Sequence, residues 1–313
     1  MKKLYFVLFI TLLAIEFFKF NLFSNNFPGS EQLLSTDSKM MSLSASFDSV
    51  SDSIESVYYN PAGLVHVDDI MFSWSRPIWS IFFNIDYFSL VIDNRYIPFG
   101  IGLLNSRTEG IAIRNDTPEI SRLSSVQDIT IFLSGGYEFV KGLSTGLRLK
   151  FNYKDILGHT DTGLGADIAF LWRRENPSAF TKSGILKILQ PFSFGIVFYN
   201  ILPPDIKLND SADKYPIIIR TSISYRFGKI FNFIEPETSL GFDTAPEYEF
   251  VNFNVGLELV LLEALYLRSG YKITEKDFTI GTGLKVWDII IDFGMSSIPV
   301  KSNYYNLTFK VQF

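Results

Sequence analysis

The chain has 313 residues, a net charge of −5, only 19% charged residues and 16% aromatic residues, of which Phe is the commonest. No basic surface argues for nucleic acid, and the absence of cysteine excludes disulfides, thiolate metal sites, a cysteine nucleophile and a lipidated amino-terminal cysteine. The length suits one large domain or two small ones.

Lys2 and Lys3 precede an apolar run from Leu4 to Ile15, which Glu16 and Lys19 interrupt. The run is too short to cross a bilayer as a helix and fits the core of a secretory signal, read as residues 1–24. Leu22 is bulky where a cleavage site usually has a small residue.

A polar, Ser-rich lead follows, to about Ser46. Phe47, Val50, Ile54 and Val57 then recur at spacings of three and four, with Asp48, Asp52 and Glu55 between them, which predicts one apolar face of a short helix. Pro61 is expected to stop it, because the residue before proline is biased away from helix. The turn is Asn60-Pro61-Ala62-Gly63-Leu64. With the signal removed, that apolar face has nowhere to be buried except inside a barrel or against a partner, so residues 25–69 are read as a plug.

From Ile70 the pattern changes to strict alternation. In 143–153, for example, Leu147, Leu149 and Phe151 alternate with Arg148, Lys150 and Asn152, and 278–286 alternates Phe278, Ile280 and Leu284 with Thr279, Gly281 and Lys285. Strands are predicted at 70–76, 82–93, 97–105, 127–139, 142–153, 161–173, 191–200, 215–227, 236–244, 249–260, 264–273, 277–287, 288–296 and 303–313. The last strand sets Tyr305, Leu307, Phe309, Val311 and Phe313 on one face and Asn306, Thr308, Lys310 and Gln312 on the other. An edge strand this apolar is an aggregation hazard unless a closed barrel covers it.

The fold class is therefore all-β, a transmembrane antiparallel barrel of about 14 strands (residues 70–313) with a short amino-terminal helical plug, embedded in outer-membrane lipid. Links at 106–126, 201–214 and 297–302 are long and assigned to the outside of the cell, while those at 140–141, 261–263 and 287–288 are tight and assigned to the periplasm. The link 174–190 breaks this rule: either it holds a small helix, or the strand count is off nearby. A soluble β-sandwich would also alternate, but with shorter strands and a protected core.

Inward positions carry both signs of charge: Arg148, Lys150, Asp167, Arg173, Arg220, Arg226, Asp243, Glu258, Arg268, Lys272, Lys285, Asp292 and Lys310. These can pair across the lumen and with the plug, which favours a filled interior. Phe132, Leu171, Val197, Tyr199 and Ile290 also fall on inward positions, and are the candidate lining of an apolar pocket between wall and plug.

Only His66 and His159 occur, each beside acidic residues in a turn, and solvated turns explain them better than a metal site. No nucleophile–base arrangement or phosphate-cradling loop is readable. Neither enzyme activity nor a cofactor is expected.

The stretch Asp52-Ser-Ile-Glu-Ser-Val-Tyr-Tyr-Asn60-Pro61-Ala62-Gly63-Leu64 resembles the amino-terminal motif of FadL-type outer-membrane transporters and of the related PorV/PorQ group associated with type IX secretion. Arg268-Ser-Gly270-Tyr271-Lys272, Ile280-Gly281-Thr-Gly283-Leu284-Lys285, Ile291-Asp292-Phe293 and the terminal Phe are similar to the later strands of those proteins. The resemblance implies a fourteen-stranded barrel of the bacterial outer membrane whose plug includes Asn60, Pro61 and Ala62. It also implies that Phe313 is read by the barrel assembly machinery. FadL proteins are longer, with larger external loops, and relatives often carry Gly and Ala where this lead is Ser-rich. Two functions follow as expectations: uptake or passage of a small hydrophobic molecule, or a non-transporting barrel that docks a secretion partner.

Overall fold

The computed structural model describes residues 30–78, 83–94, 96–113, 122–173, 192–208, 215–230, 233–297 and 303–313. The predicted signal, the link 174–190 and much of the long links lie outside them.

Fourteen strands form one closed antiparallel barrel. They are β1 (Met71–Ile78), β2 (Phe83–Ile92), β3 (Phe99–Ile113), β4 (Arg122–Val140), β5 (Leu143–Ile156), β6 (His159–Arg173) and β7 (Phe192–Leu202). There follow β8 (Ile218–Arg226), β9 (Ile234–Ala245), β10 (Phe250–Leu261), β11 (Leu265–Lys272), β12 (Asp277–Val286), β13 (Ile289–Ser297) and β14 (Tyr304–Gln312). Each strand pairs with its sequence neighbours, and β14 closes on β1 from Met71↔Gln312 to Ile78↔Tyr305. Closure gives the apolar last strand a partner on both sides. The end where β1 begins and β14 finishes is called the lower end below.

Alternation determines which face meets which environment. Leu147, Leu149, Phe151, Ile280, Leu284, Ile291, Phe293 and Leu307 are exposed outward, while Arg148, Lys150, Asn152, Asp292, Asn306 and Lys310 are buried inward. An apolar exterior over a charged interior is stable only when lipid surrounds the exterior, and closure leaves no unpaired sheet edge in that lipid.

The link predicted at 106–126 is shorter than expected. Residues 106–113 and 122–126 extend β3 and β4, with Thr108↔Val126 and Ile113↔Arg122 paired across a bulge. Ser, Arg, Thr and Glu at 106–109 hid this extension, since a hairpin that projects beyond the lipid no longer needs an apolar face. Two hairpin turns are tight through left-handed backbone: Leu157 and Gly158 at φ 58° and 95° at the upper end, and Trp287 at φ 54° at the lower end. A tight turn at each end makes the link-length asymmetry weaker than the sequence suggests.

The segment 32–67 lies inside the barrel. It is not the predicted single helix. It folds as α1 (Ser38–Ser42) and short 3₁₀ turns at Ser30–Leu33, Asp48–Val50, Ile54–Val57 and Pro61–His66. Ser51, at φ −58° and ψ 140°, breaks the run between Val50 and Ile54. Pro61 begins a turn rather than ending a helix, with Asn60 as its cap.

Candidate functional site: the plug and the lumen wall

The plug sweeps past almost the whole circumference. α1 packs on β11–β14, the 48–50 turn on β7 and β8, the 54–57 turn on β1–β4 and the 61–66 turn on β4–β6. Ser46 and Leu43 pass β9–β11 between these contacts. The approach is backbone to backbone, because the wall presents glycine at that level. A Cβ at Gly195 would collide with the Ser49 carbonyl, one at Gly146 with Pro61 and Ala62, one at Gly241 with Ser46, and one at Gly270 with Leu43. Gly136↔Gly146, Gly256↔Gly270 and Gly281↔Gly294 are direct cross-strand pairs, so the small residues form an arc around the lumen.

A buried, irregular backbone needs hydrogen-bond partners, and here the wall supplies them. The hydroxyls of Ser134, Ser144 and Thr279 donate to the carbonyls of Val57, Ala62 and Ser42, each at 2.8 Å. The Ser38 N–H donates to Thr308 Oγ1 at 2.9 Å and the Ser49 N–H to Ser222 Oγ at 3.2 Å. Arg148 Nη1 donates to the Tyr58 carbonyl. Asn60 holds its own turn: Oδ1 accepts from the Ala62 N–H at 2.9 Å, and Nδ2 donates to the Ser49 carbonyl at 2.5 Å. Gly63 and Leu64 continue this turn in full burial, and a Cβ at Gly63 would strike the Ser51 carbonyl.

Charge complements this fit. The plug contributes Asp37, Asp48, Asp52 and Glu55, and the wall answers with cations. Lys310 binds Asp37 at 3.2 Å, Glu55 and, on β13, Asp292 at 3.0 Å. Arg220 binds Asp48 at 2.5 Å and Asp243 at 2.9 Å. Arg173 binds Asp52 at 2.5 Å. Arg148↔Asp167, Arg220↔Asp243 and Glu258↔Arg268 face each other directly across neighbouring strands. Asp167 also disturbs the wall. Its Oδ1 accepts the Asn200 N–H at 2.7 Å where the β6–β7 register breaks, and Asn200 stands at φ 58°.

The plug carboxylates respond to burial in opposite senses. Burial pushes Asp48 up to about 7 against the pull of Arg220, and it raises Asp37 against Lys310. Asp52 is also desolvated, though less deeply, and Arg173, Lys39 and Arg226 outweigh this and hold it well below the ordinary carboxylate range. Lys310 and Lys39 do the same for Glu55.

The four apolar plug residues are all buried, in two places. Phe47 and Val50 join one cluster with Met40, Leu43, Tyr58 and Tyr59, and Ile54 and Val57 join another with Leu64 and Met71. Of the five wall residues singled out from sequence, Phe132, Leu171, Val197 and Tyr199 belong to the first cluster, packed with the plug. Ile290 does not; it is half-buried beside Lys310 near the lower end of β13. Its parity is inward, but it is not part of either buried apolar cluster. Arg148 sits among Tyr58, Phe132 and Tyr199, with its guanidinium carbon 5.0–5.8 Å from each ring centre.

Inward Arg226 is nearly half exposed and Lys285 half-buried, both near the lower end, whereas the other inward charges predicted from sequence are buried. His66 is half-buried at the end of the last plug turn and His159 is exposed. Among the described residues no three His, Asp or Glu side chains are grouped to hold a metal ion. Phe313 is 74% exposed, with its N–H donated to the Ile70 carbonyl at 2.9 Å. The glycine arc and the wall hydroxyls were missed from sequence. Their signal was there: glycine at inward strand positions facing a plug rich in serine.

No family model matches the sequence, and no curated protein does. Solved structures do match in shape. The monoaromatic hydrocarbon channel CymD superposes with a TM-score of 0.61 at 10% identity, over 90% of this chain and 98% of that one. A FadL homologue of Pseudomonas aeruginosa gives 0.57 at 8% identity, over 90% and 99%. The Pseudomonas putida toluene transporter TodX gives 0.53 at 11% identity, over 82% and 92%. The chain shares the fold of these barrels. At such identities the likeness is one of fold, and it covers nearly the full length of each.

Proposed function

We propose that the protein is an outer-membrane channel for small hydrophobic molecules, with the lower end of the barrel in the periplasm. The observation that carries this reading is the apolar cluster inside an otherwise polar lumen. It extends from Ile218, Ala245 and Phe250, at the upper ends of their strands, through Phe132, Val197 and Tyr199 to Phe47 in the plug. A barrel needed only as a docking frame could be filled with the ion pairs and hydroxyls that line the rest of this wall. A continuous apolar column is what a hydrophobic solute needs. The fold shared with hydrocarbon channels supports the same reading.

The ligand class is a small, neutral, mainly apolar molecule. No residue of the site is positioned for bond-making chemistry on such a solute. Delivery of the chain to the outer membrane would use the signal in residues 1–24 and the terminal Phe313, as the substrate of the barrel assembly machinery. Displacement of a fluorescent hydrophobic probe from the purified, detergent-solubilised barrel tests the reading. Toluene should displace the probe saturably, and Phe132→Asp should abolish the effect while the barrel stays heat-modifiable on gels. Absence of saturable displacement from the wild-type barrel would defeat the channel reading and leave docking of a secretion partner.

A further inference from the structure

The lower mouth of the lumen holds a cavity of 310 Å³. Arg226, Glu235, Glu237, Glu258, Val260 and Tyr266 line it. A second cavity of 230 Å³ adjoins it through Glu235 and Glu263 and adds Lys229 and Phe233. We propose, building on the channel reading, that this cavity is the channel's periplasmic exit, that it passes neutral hydrophobic molecules, and that the ion cluster on Asp52 closes it.

Contacts lead from the apolar cluster to the cavity in three steps. Phe47 belongs to the cluster, and Lys39 Nζ stands 4.8 Å over its ring. Lys39 reaches Asp52 at 3.8 Å, and Asp52 reaches Arg226, a lining residue, at 3.4 Å. Arg226 in turn binds Glu237 of the lining at 3.1 Å. The Asp52–Arg226 contact is also the most exposed of the plug's ion pairs, beside the Arg173–Asp52 pair at 2.5 Å. The Arg220–Asp48 and Lys310–Asp37 side chains are 0–3% exposed, whereas Asp52 is 20% and Arg226 47% exposed. Water screens a half-exposed pair, so breaking it costs far less than parting the buried ones.

The lining also selects. Four carboxylates (Glu235, Glu237, Glu258 and Glu263) face two cations of the two cavities, Arg226 and Lys229, and Arg268 beside them on Glu258, which leaves one carboxylate in excess. The excess negative charge repels organic anions and leaves neutral solutes unaffected. Val260, Phe233 and Tyr266 provide apolar surface on which such a solute can rest.

The absence of native cysteine makes the test direct. In cells that make Val260→Cys, a thiol reagent small enough to cross porins, yet large enough to fill the cavity, would be attached. Entry of the neutral fluorescent probe N-phenylnaphthylamine into intact cells would then be followed. The proposal expects attachment to abolish entry through the channel, while toluene still displaces the probe from the purified, modified barrel. It expects Asp52→Asn to speed entry several-fold, with Arg226→Gln as the equivalent variant should Asp52→Asn fail to fold. It also expects naphthoate, the carboxylate counterpart, to enter no faster through Asp52→Asn than through wild type. Undiminished entry through the modified Val260→Cys barrel would overturn the exit and leave the channel reading standing. A wild-type barrel that neither admits nor binds the probe would overturn both.

Discussion

Gly195 shows how closely the lumen is fitted, since its missing Cβ is the space that the Ser49 carbonyl occupies. Gly195→Val should cost about 1–3 kcal/mol by overpacking, read as a lower denaturation midpoint, because the 48–50 turn cannot retreat without breaking the Asp48–Arg220 contact. An unchanged midpoint would show that the plug does not seat there. The carboxylates make a second prediction. Asp37 and Asp48 have native pKa values above their unfolded ones, so their contribution is lost as pH rises. Asp52 and Glu55 have depressed values, so theirs is lost as pH falls. The plug should therefore be most secure in mild acid, at roughly pH 5, and should loosen progressively below roughly pH 4, where the stabilisation that the depressed Asp52 and Glu55 supply falls away. Single-channel recordings should show less leak at the first pH than at neutrality, and more at the second; a leak that falls steadily into strong acid would contradict this. Charge signs on inward positions were legible in the sequence. The pairings Arg148–Asp167 and Arg220–Asp243 were not, because they depend on strand register, which alternation leaves open.

At the scale of elements, strands and plug differ in how much their sequences reveal. A strand between lipid and lumen must alternate, so all fourteen could be found, and their limits shifted mainly where β3 and β4 leave the lipid. The plug lies among wall side chains on every side, and its backbone bonds to Ser134, Ser144 and Thr279 as well as to itself in short turns. No period survives under those conditions, so spacings of three and four at Phe47, Val50, Ile54 and Val57 suggested a helix where there are two separate turns. The turn at Asn60 carries the third prediction. Asn60 bonds Ala62 and Ser49, and Pro61 fixes the first residue of the turn. Asn60→Ala together with Pro61→Gly should leave a closed, heat-modifiable barrel and raise its current in planar bilayers from near zero. A double variant as silent as wild type would mean that the plug is held without this turn.

The whole molecule is a closed sheet with its polar face inward, plugged by its own amino-terminal segment. That architecture could be read from residues 70–313 because closure is the way a sheet with one apolar face survives in lipid. Orientation rests on weaker ground, given a tight turn at each end, and makes the fourth prediction. A single cysteine at the exposed Asp205, in the link after β7, should react with an impermeant label on intact cells, and one at Glu263, in the link after β10, only after the outer membrane is broken. The reverse pattern would invert the barrel. Phe313 completes the β14 face at the lower rim, and Phe313→Asp should sharply lower the amount of barrel in the outer membrane, since it puts a charge at the lipid boundary and removes the terminal aromatic. The central claim, passage of a small hydrophobic molecule, is tested most directly by the rate at which labelled toluene enters intact cells at a matched level of outer-membrane protein. The account predicts faster, saturable entry in cells that make the barrel than in cells that lack it. Equal rates, with the folded barrel present in the outer membrane, would contradict it.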